Sequence, residues 1–334
     1  MNRRELDAFV AHHNLSASTT DAVLDLAGAR PMPAELGQFL VRVLQLAGVL
    51  SLAAGLVFFI AANWQYVGVT GRFALIQGVI VASVALALWK PAPHALGRYA
   101  LLMAFIATGA LLALFGQTYQ TGADVYELFL TWSLLGLAFV VAGQWSVLSA
   151  AWLMVFNVAL VLFFGWQARG GWAWAALSLL ETSASLRLLV PAVLNLALWL
   201  LAEFGRRARW SALDQHWVSS LALVCAFGFM TSAGLVALEP HTMSGDDGMA
   251  LLVVLALETG LVVYAMRLRN DVFPLALTAA SLIVLSTFAF GAHTDFDIGT
   301  AFMLAVWLIV TSTVSGRVLM SLVRAWGNKE EVAI

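Results

Sequence analysis

Charge is what this chain has least of. Asp, Glu, Lys and Arg make up 11% of its 334 residues, against about 25% in soluble domains. A water-soluble fold of that length could not cover its surface with so few polar groups, and a disordered chain needs more charge still. Nucleic-acid binding is excluded by the same arithmetic, and the formal net charge of −2 says little until the charges are placed on the two sides of a membrane. Cys225 is the single cysteine, so there is neither a disulfide framework nor a multi-cysteine metal site. No phosphate-binding loop, dinucleotide-binding glycine pattern, His-Glu-x-x-His or Gly-x-Ser-x-Gly sequence occurs. ATP-driven, redox and common hydrolytic chemistry therefore have no foothold, and no cofactor is implied.

What the chain has in abundance is apolar sequence. Hydrophobic residues reach 62% and the mean hydropathy is +0.90. A bilayer core about 30 Å thick takes roughly 20 mostly apolar residues per helix. Ten stretches approach that length, at 43–63, 73–89, 99–115, 127–143, 146–165, 188–203, 217–237, 249–266, 272–291 and 299–320. The predicted fold is an all-α polytopic bundle that uses the lipid bilayer as its partner. Residues 1–42 read as a cytoplasmic helical hairpin, 43–320 as the transmembrane domain and 321–334 as a cytoplasmic tail. Gly28, Pro31 and Pro33 interrupt the helical pattern ahead of the first span. The stretch 166–187, with Gly170 and Gly171 beside Trp172 and Trp174, is open to interfacial, re-entrant and spanning readings.

Lysine and arginine set the orientation. With both termini cytoplasmic, every basic residue except Arg72, Arg169 and Arg187 falls on the inner side. Asp124, Glu127, Glu181, Glu239, Asp246, Asp247, Asp295 and Asp297 fall outside. Within the spans, the pairs Gly48 and Gly55, Gly109 and Gly116, and Gly136 and Gly143 each recur two turns apart. That spacing predicts three close-packing stripes uniting the first, third and fourth spans. His241, His293, Asp295 and Asp297 lie on separate loops without ligand spacing, so no metal site is expected. Glu203 and Arg206 read as solvated residues at an inner helix end.

The densest polar cluster gathers at outer helix ends. It comprises Asn63 and Trp64, then Arg72, then Gln117, Tyr119, Gln120, Asp124 and Glu127. Amides and phenols without fixed charge suit a polar or sugar-like group, and they equally suit the satisfaction of exposed helix ends. Arg72 is expected to pair with Asp124 or Glu127. The runs Phe59-Ile60-Ala61-Ala62-Asn63-Trp64, Arg72-Phe73 and Gly116-Gln117-Thr118-Tyr119-Gln120-Thr121-Gly122-Ala123-Asp124 carry a family resemblance. Together with Leu128-Phe129 and Trp132, they resemble an uncharacterised family of polytopic bacterial membrane proteins, the domain of unknown function numbered twenty-one fifty-seven. The resemblance covers roughly residues 1–145 and implies a bacterial inner-membrane setting, sometimes with a neighbouring membrane protein as partner. It implies no activity, substrate or catalytic residue.

Glu258 stands alone as an acid within a span. A carboxylate at mid-bilayer costs about 2.5–3.5 kcal/mol on insertion scales, so the neutral acid is the default form there. Such a residue is either a proton relay or cation ligand, or a protonated acid bonded to a neighbouring helix. Asn157, Asn195 and Gln77 are its candidate partners. Three functional classes remain open: binding or transport of a small polar or lipid-linked solute, a scaffold for another envelope protein, and a membrane-embedded enzyme. The small-molecule ligand is not legible.

Overall fold

The computed structural model describes residues 12–13, 19–20, 33–120, 122–165, 183–207, 216–240, 245–292, 294 and 297–332. Among them there is no strand. The helices are α1 (Pro33–Ala62), α2 (Val69–Trp89), α3 (Ala95–Tyr119), α4 (Val125–Gly143) and α5 (Ser146–Leu160), followed by α6 (Ala184–Arg207), α7 (His216–Ala237), α8 (Gly245–Tyr264), α9 (Val272–Ala292) and α10 (Ile298–Val332). A single π-helical turn extends α5 over Val161–Gly165 and another extends α8 over Ala265–Arg269. All ten are long and apolar enough to cross a membrane, and the chain is an all-α polytopic bundle. Most of the stretch 1–42 and residues 166–182 lie outside the described residues, while 184–187 form the first turn of α6. Pro33, read as a break, is the first residue of α1, where its missing N–H costs nothing. The last helix continues to Val332, through most of the stretch read as a tail.

The helix ends show how a chain poor in glycine caps manages its turns. Gln120 and Gln144 close α3 and α4 in the left-handed region, at φ 43° and 41°. Their N–H groups return to Gly116 and Val140 oxygens at 3.1 Å. Asn270 closes the π turn of α8 in the same way, at φ 53°. At the start of α10 the Asp297 carboxylate accepts the Thr300 N–H at 2.7 Å. That bond holds its carboxyl below the ordinary aspartate range.

Packing divides along the chain. Ile60, Ile76, Ala107 and Leu114 join α1, α2 and α3, while Leu101, Leu102, Phe105, Leu148 and Val155 join α3 to α5. The larger core lies between α5 and α9, around Leu196, Leu223, Phe227, Met230, Val254 and Leu285. The outermost helices are the first and the last, since α1 packs chiefly on α3 and α10 on α9. Their long apolar faces are exposed, as helices that meet lipid must be.

The glycine stripes are half corrected. A side-chain carbon on Gly109 would meet the Trp132 ring at 2.5 Å, and one on Gly136 would meet Phe105 at 2.5 Å. The two helices α3 and α4 thus exchange aromatic knobs, each ring seated on the other helix's glycine. Trp132 Nε1 then donates to the Phe105 carbonyl at 2.8 Å, and Trp152 of α5 donates to the Ser133 carbonyl at 2.7 Å. Gly143 receives Leu148 in a similar seat. Gly48, Gly55 and Gly116 face open space. Spacing places two glycines on one face of a helix but does not say whether another helix covers that face.

Gly136→Val and Gly109→Val should each lower stability by about 1–3 kcal/mol through overpacking, read as a fall in the melting temperature of purified protein. Gly55→Val, on an open face, should leave it unchanged. Equal losses at all three positions would contradict the interlock.

Candidate functional site

The outer polar cluster separates into two groups. Arg72, only 9% exposed, turns back onto its own hairpin. Its Nε donates to the Val67 carbonyl at 2.8 Å and its terminal nitrogen to the Trp64 carbonyl. The guanidinium also lies 3.7 Å from the centre of the Trp64 ring, a cation–π contact. Asn63 donates to the Phe59 carbonyl at 2.8 Å. Arginine and asparagine are therefore used to close the turn after α1, where carbonyls lose their helical partners.

No ion pair joins Arg72 to Asp124 or Glu127 among the described residues, which corrects that expectation. The two acids belong to the start of α4, which packs elsewhere. Glu127 accepts the Tyr126 hydroxyl at 3.3 Å, and the Tyr126 ring packs on Phe163 at the end of α5. Asp124 precedes α4 as its N-terminal flanking residue without a side-chain capping bond. Tyr119 packs against Phe73 and Phe115, and Gln120 serves through its backbone. Two of the set, Trp64 and Gln117, line a groove of about 220 Å³ whose other walls include Leu56, Ile60, Ile76 and Leu114. That groove is too apolar to select a sugar.

The second candidate is different. The buried stripe of α8 runs Asp247, Ala250, Val254, Glu258, Leu261 and, in the π turn, Ala265. Alternating steps of three and four residues put one face of a helix against its neighbours. Glu258 occupies a core position of that stripe and is 2% exposed.

Both ends of α8 are clamped to α6. At one end Ser185 donates to Asp247 at 2.6 Å, with Ser183 and Asp246 beside them. At the other end Arg269 forms an ion pair with buried Glu203, while Trp199 packs edge-on to Tyr264. Glu203 is thus not solvated. Glu258 lies eleven residues from Asp247 and eleven from Arg269, about 16 Å from each at 1.5 Å per residue. A hydrocarbon layer about 30 Å thick sets the acid at its centre.

Around that point the polar groups are few. Ser281 of α9 is the hydroxyl facing the acid, and it pairs with Thr231 of α7 at 2.8 Å. Among the described residues neither Glu258 oxygen makes a hydrogen bond of full geometry, and the Ser281 hydroxyl is the one group near enough to act on the carboxyl. Asn157 and Asn195 are not its partners, for they bond each other reciprocally between α5 and α6, at 3.0 and 2.8 Å. Each also donates to the carbonyl four residues back. Gln77 is exposed on α2. The expected pairing of Glu258 with any of the three is therefore corrected. In the described structure the two amides satisfy each other completely enough to leave no donor for the acid.

The signals that could have revealed the missed contacts are modest. Adjacent Asp246 and Asp247 in a first turn suggested exposed acids, and the serines that bury one of them lie 62 residues away along the chain. Glu203 beside a run of arginines suggested solvent. Among the described residues no group of three His, Cys, Asp or Glu is placed to hold a metal, and His241, His293 and Asp295 lie outside them.

Ten apolar helices and an acid at the centre of one of them define a multi-pass membrane protein with a buried ionisable site. Residues 7–149 of the chain match the family described as "Predicted membrane protein (DUF2157)", the family its sequence resembles. The match covers α1 to α4, the opening of α5 and the stretch before α1 from residue 7, and stops short of Glu258. No curated protein and no solved structure matches the chain.

Arg72→Ala removes two donors to otherwise open carbonyls and should lower stability by about 1.5–3 kcal/mol. Arg72→Lys should recover only part of the loss, because an ammonium cannot span both carbonyls. Asp124→Asn should stay within about 0.5 kcal/mol of the unmodified protein. Matching losses at Arg72 and Asp124, non-additive in the double variant, would restore the ion pair and overturn this assignment.

Proposed function

We propose that the protein binds and moves a small polar or lipid-linked solute across a bacterial inner membrane, with Glu258 taking up and releasing the coupling proton or cation. One observation carries the reading: a buried carboxyl at the centre of the bundle that, among the described residues, makes no hydrogen bond of full geometry and has only the Ser281 hydroxyl beside it. A structural acid in hydrocarbon would be fixed by a hydrogen bond to a neighbouring helix, and leaving a buried polar group unsatisfied costs about 1–3 kcal/mol. Retaining that penalty where Leu would pack favours a residue whose bonding partner comes and goes. The Ser281–Thr231 hydroxyl pair supplies an adjacent relay or ligand, since each hydroxyl can both donate and accept. The clamps Ser185–Asp247 and Glu203–Arg269 would hold α6 and α8 together at both faces while the centre changes state.

The basic residues support an orientation with both termini cytoplasmic, which puts Asp247 outside and Arg269 inside. Glu258 is buried in this arrangement, so the reading requires a second arrangement in which one face reaches the acid. A second reading, a scaffold for another envelope protein, draws on α10, whose exposed face carries an apolar groove of about 330 Å³ lined by Phe302, Met303, Val306 and Trp307. It leaves Glu258 unexplained.

A hydrophobic carbodiimide, which adds to a protonated carboxyl from within the bilayer, separates the readings in protein reconstituted in vesicles. Peptide mapping should place the adduct on Glu258, with labelling that weakens as the bath pH rises. Glu258→Gln should lose the adduct and keep the fold. Labelling that stays constant with pH would mean an acid isolated from both faces, and the coupling role would fail.

A further inference from the structure

A second polar site lies at the opposite pole of the chain's chemistry, independent of Glu258. Between α1, α3 and the start of α5 a cleft of about 660 Å³ opens at the end of the bundle where lysine and arginine concentrate. Arg42 and Arg98 line it, and no acid does. Two cations sharing one cleft with no acid among its described lining leave a positive field there.

The walls are built by specific contacts. The Tyr99 hydroxyl donates to the Arg42 carbonyl at 3.1 Å, tying α1 to α3. The Tyr99 ring packs edge-on against Trp145 at 5.0 Å, tying α3 to the α4–α5 turn. Arg98 donates one terminal nitrogen to the Gln144 carbonyl at 3.3 Å, which anchors the guanidinium. Its Nε is buried and has no acceptor. An arginine held by one edge, with an unanswered donor, is prepared for an oxyanion. Trp217 of α7 completes the rim, and Phe39 and Val43 of α1 continue the cleft as apolar surface. Indole rings at the ends of membrane helices sit at headgroup depth.

We infer that this cleft holds the phosphate of an anionic phospholipid, with Arg98 and Arg42 on the headgroup and the apolar strip of α1 along an acyl chain. Free phosphate shares the anionic chemistry but has no use for the Phe39–Val43 strip. A zwitterionic lipid shares the strip but carries an ammonium that opposes both arginines. Basic pockets between transmembrane helices are a recurrent solution for anionic headgroups.

The test uses the full chain purified in a neutral detergent. Its probes are phosphatidylglycerol, phosphatidylcholine and inorganic phosphate at matched concentrations, with binding read by native mass spectrometry and by thermal shift. Phosphatidylglycerol should bind and raise the melting temperature, and the other two should not. Arg42→Gln lies on an exposed stretch of α1 and leaves the fold undisturbed, and it should weaken phosphatidylglycerol about tenfold, the factor for one ionic contact of about 1.4 kcal/mol. Arg98→Lys keeps the charge but loses the fork and should weaken binding by a similar factor. Arg317→Gln, on α10, should bind as the unmodified protein does. Equal binding of phosphatidylglycerol and phosphatidylcholine, or undiminished binding by the Arg42→Gln, Arg98→Lys double variant, would overturn the site. Stabilisation by inorganic phosphate as strong as by lipid would overturn the lipid as its ligand.

Discussion

In hydrocarbon a polar group has no water to fall back on, so it must be answered from within the protein. The described bundle meets that constraint almost everywhere. Asn157 answers Asn195, Ser185 answers Asp247, Arg269 answers Glu203, and the indoles of Trp132 and Trp152 answer backbone carbonyls. Lipid offers no hydrophobic drive for association, so such bonds add to close packing in holding particular helices together. The amide pair fastens α5 to α6, one hydrogen-bonded and one ionic clamp fasten α6 to α8, and the indole bonds fasten α3, α4 and α5 in series. Against that background Glu258 stands out among the described residues as an acid at mid-helix, away from the helix ends where the buried Arg98 Nε also lacks an acceptor.

The N-terminal part of the bundle follows a different logic from the C-terminal part. Between α3 and α4 the fit is steric, with Phe105 on Gly136 and Trp132 on Gly109, so that rings replace small-residue contacts between backbones. Between α6, α7 and α8 the fit is polar at the ends of α6 and α8 and mostly aliphatic between, with Trp199, Phe227 and Phe229 among the packed side chains. Rigid aromatic packing suits a frame, and a few polar bonds at helix ends suit helices that shift against it. The family match falls on the first of these parts and the buried acid on the second.

Much of this was legible in the sequence. Ten spans follow from apolar runs because membrane thickness imposes a minimum length, and their ends were found within a few residues, apart from the longer α1 and α10. Glu258 was legible for the same reason, being an acid where lipid tolerates none. Its burial can be read from the three- and four-residue steps linking it to Val254 and Leu261. What remained hidden was partnership. Asn157 and Asn195 lie on separate helices, and nothing local distinguishes an amide bonded to an acid from one bonded to another amide. Arg72 looked ready for Asp124 because their charges matched. Yet the turn carbonyls of Trp64 and Val67, only a few residues away along the chain, engage both edges of the guanidinium. The glycine stripes failed for a related reason, since periodicity locates a face and only tertiary structure supplies its occupant.

The account stands on one claim, that Glu258 exchanges its proton instead of keeping it as a fixed part of the core. Infrared difference spectroscopy of reconstituted protein reads this directly, with Glu258→Gln as the reference that identifies the band. The carboxylic acid band belonging to Glu258 should change in amplitude as the bath is moved between about pH 5 and about pH 9, a window that spans the neutral range. A Glu258 band of constant amplitude throughout would show a permanently neutral acid, and the coupled-transport account would be contradicted.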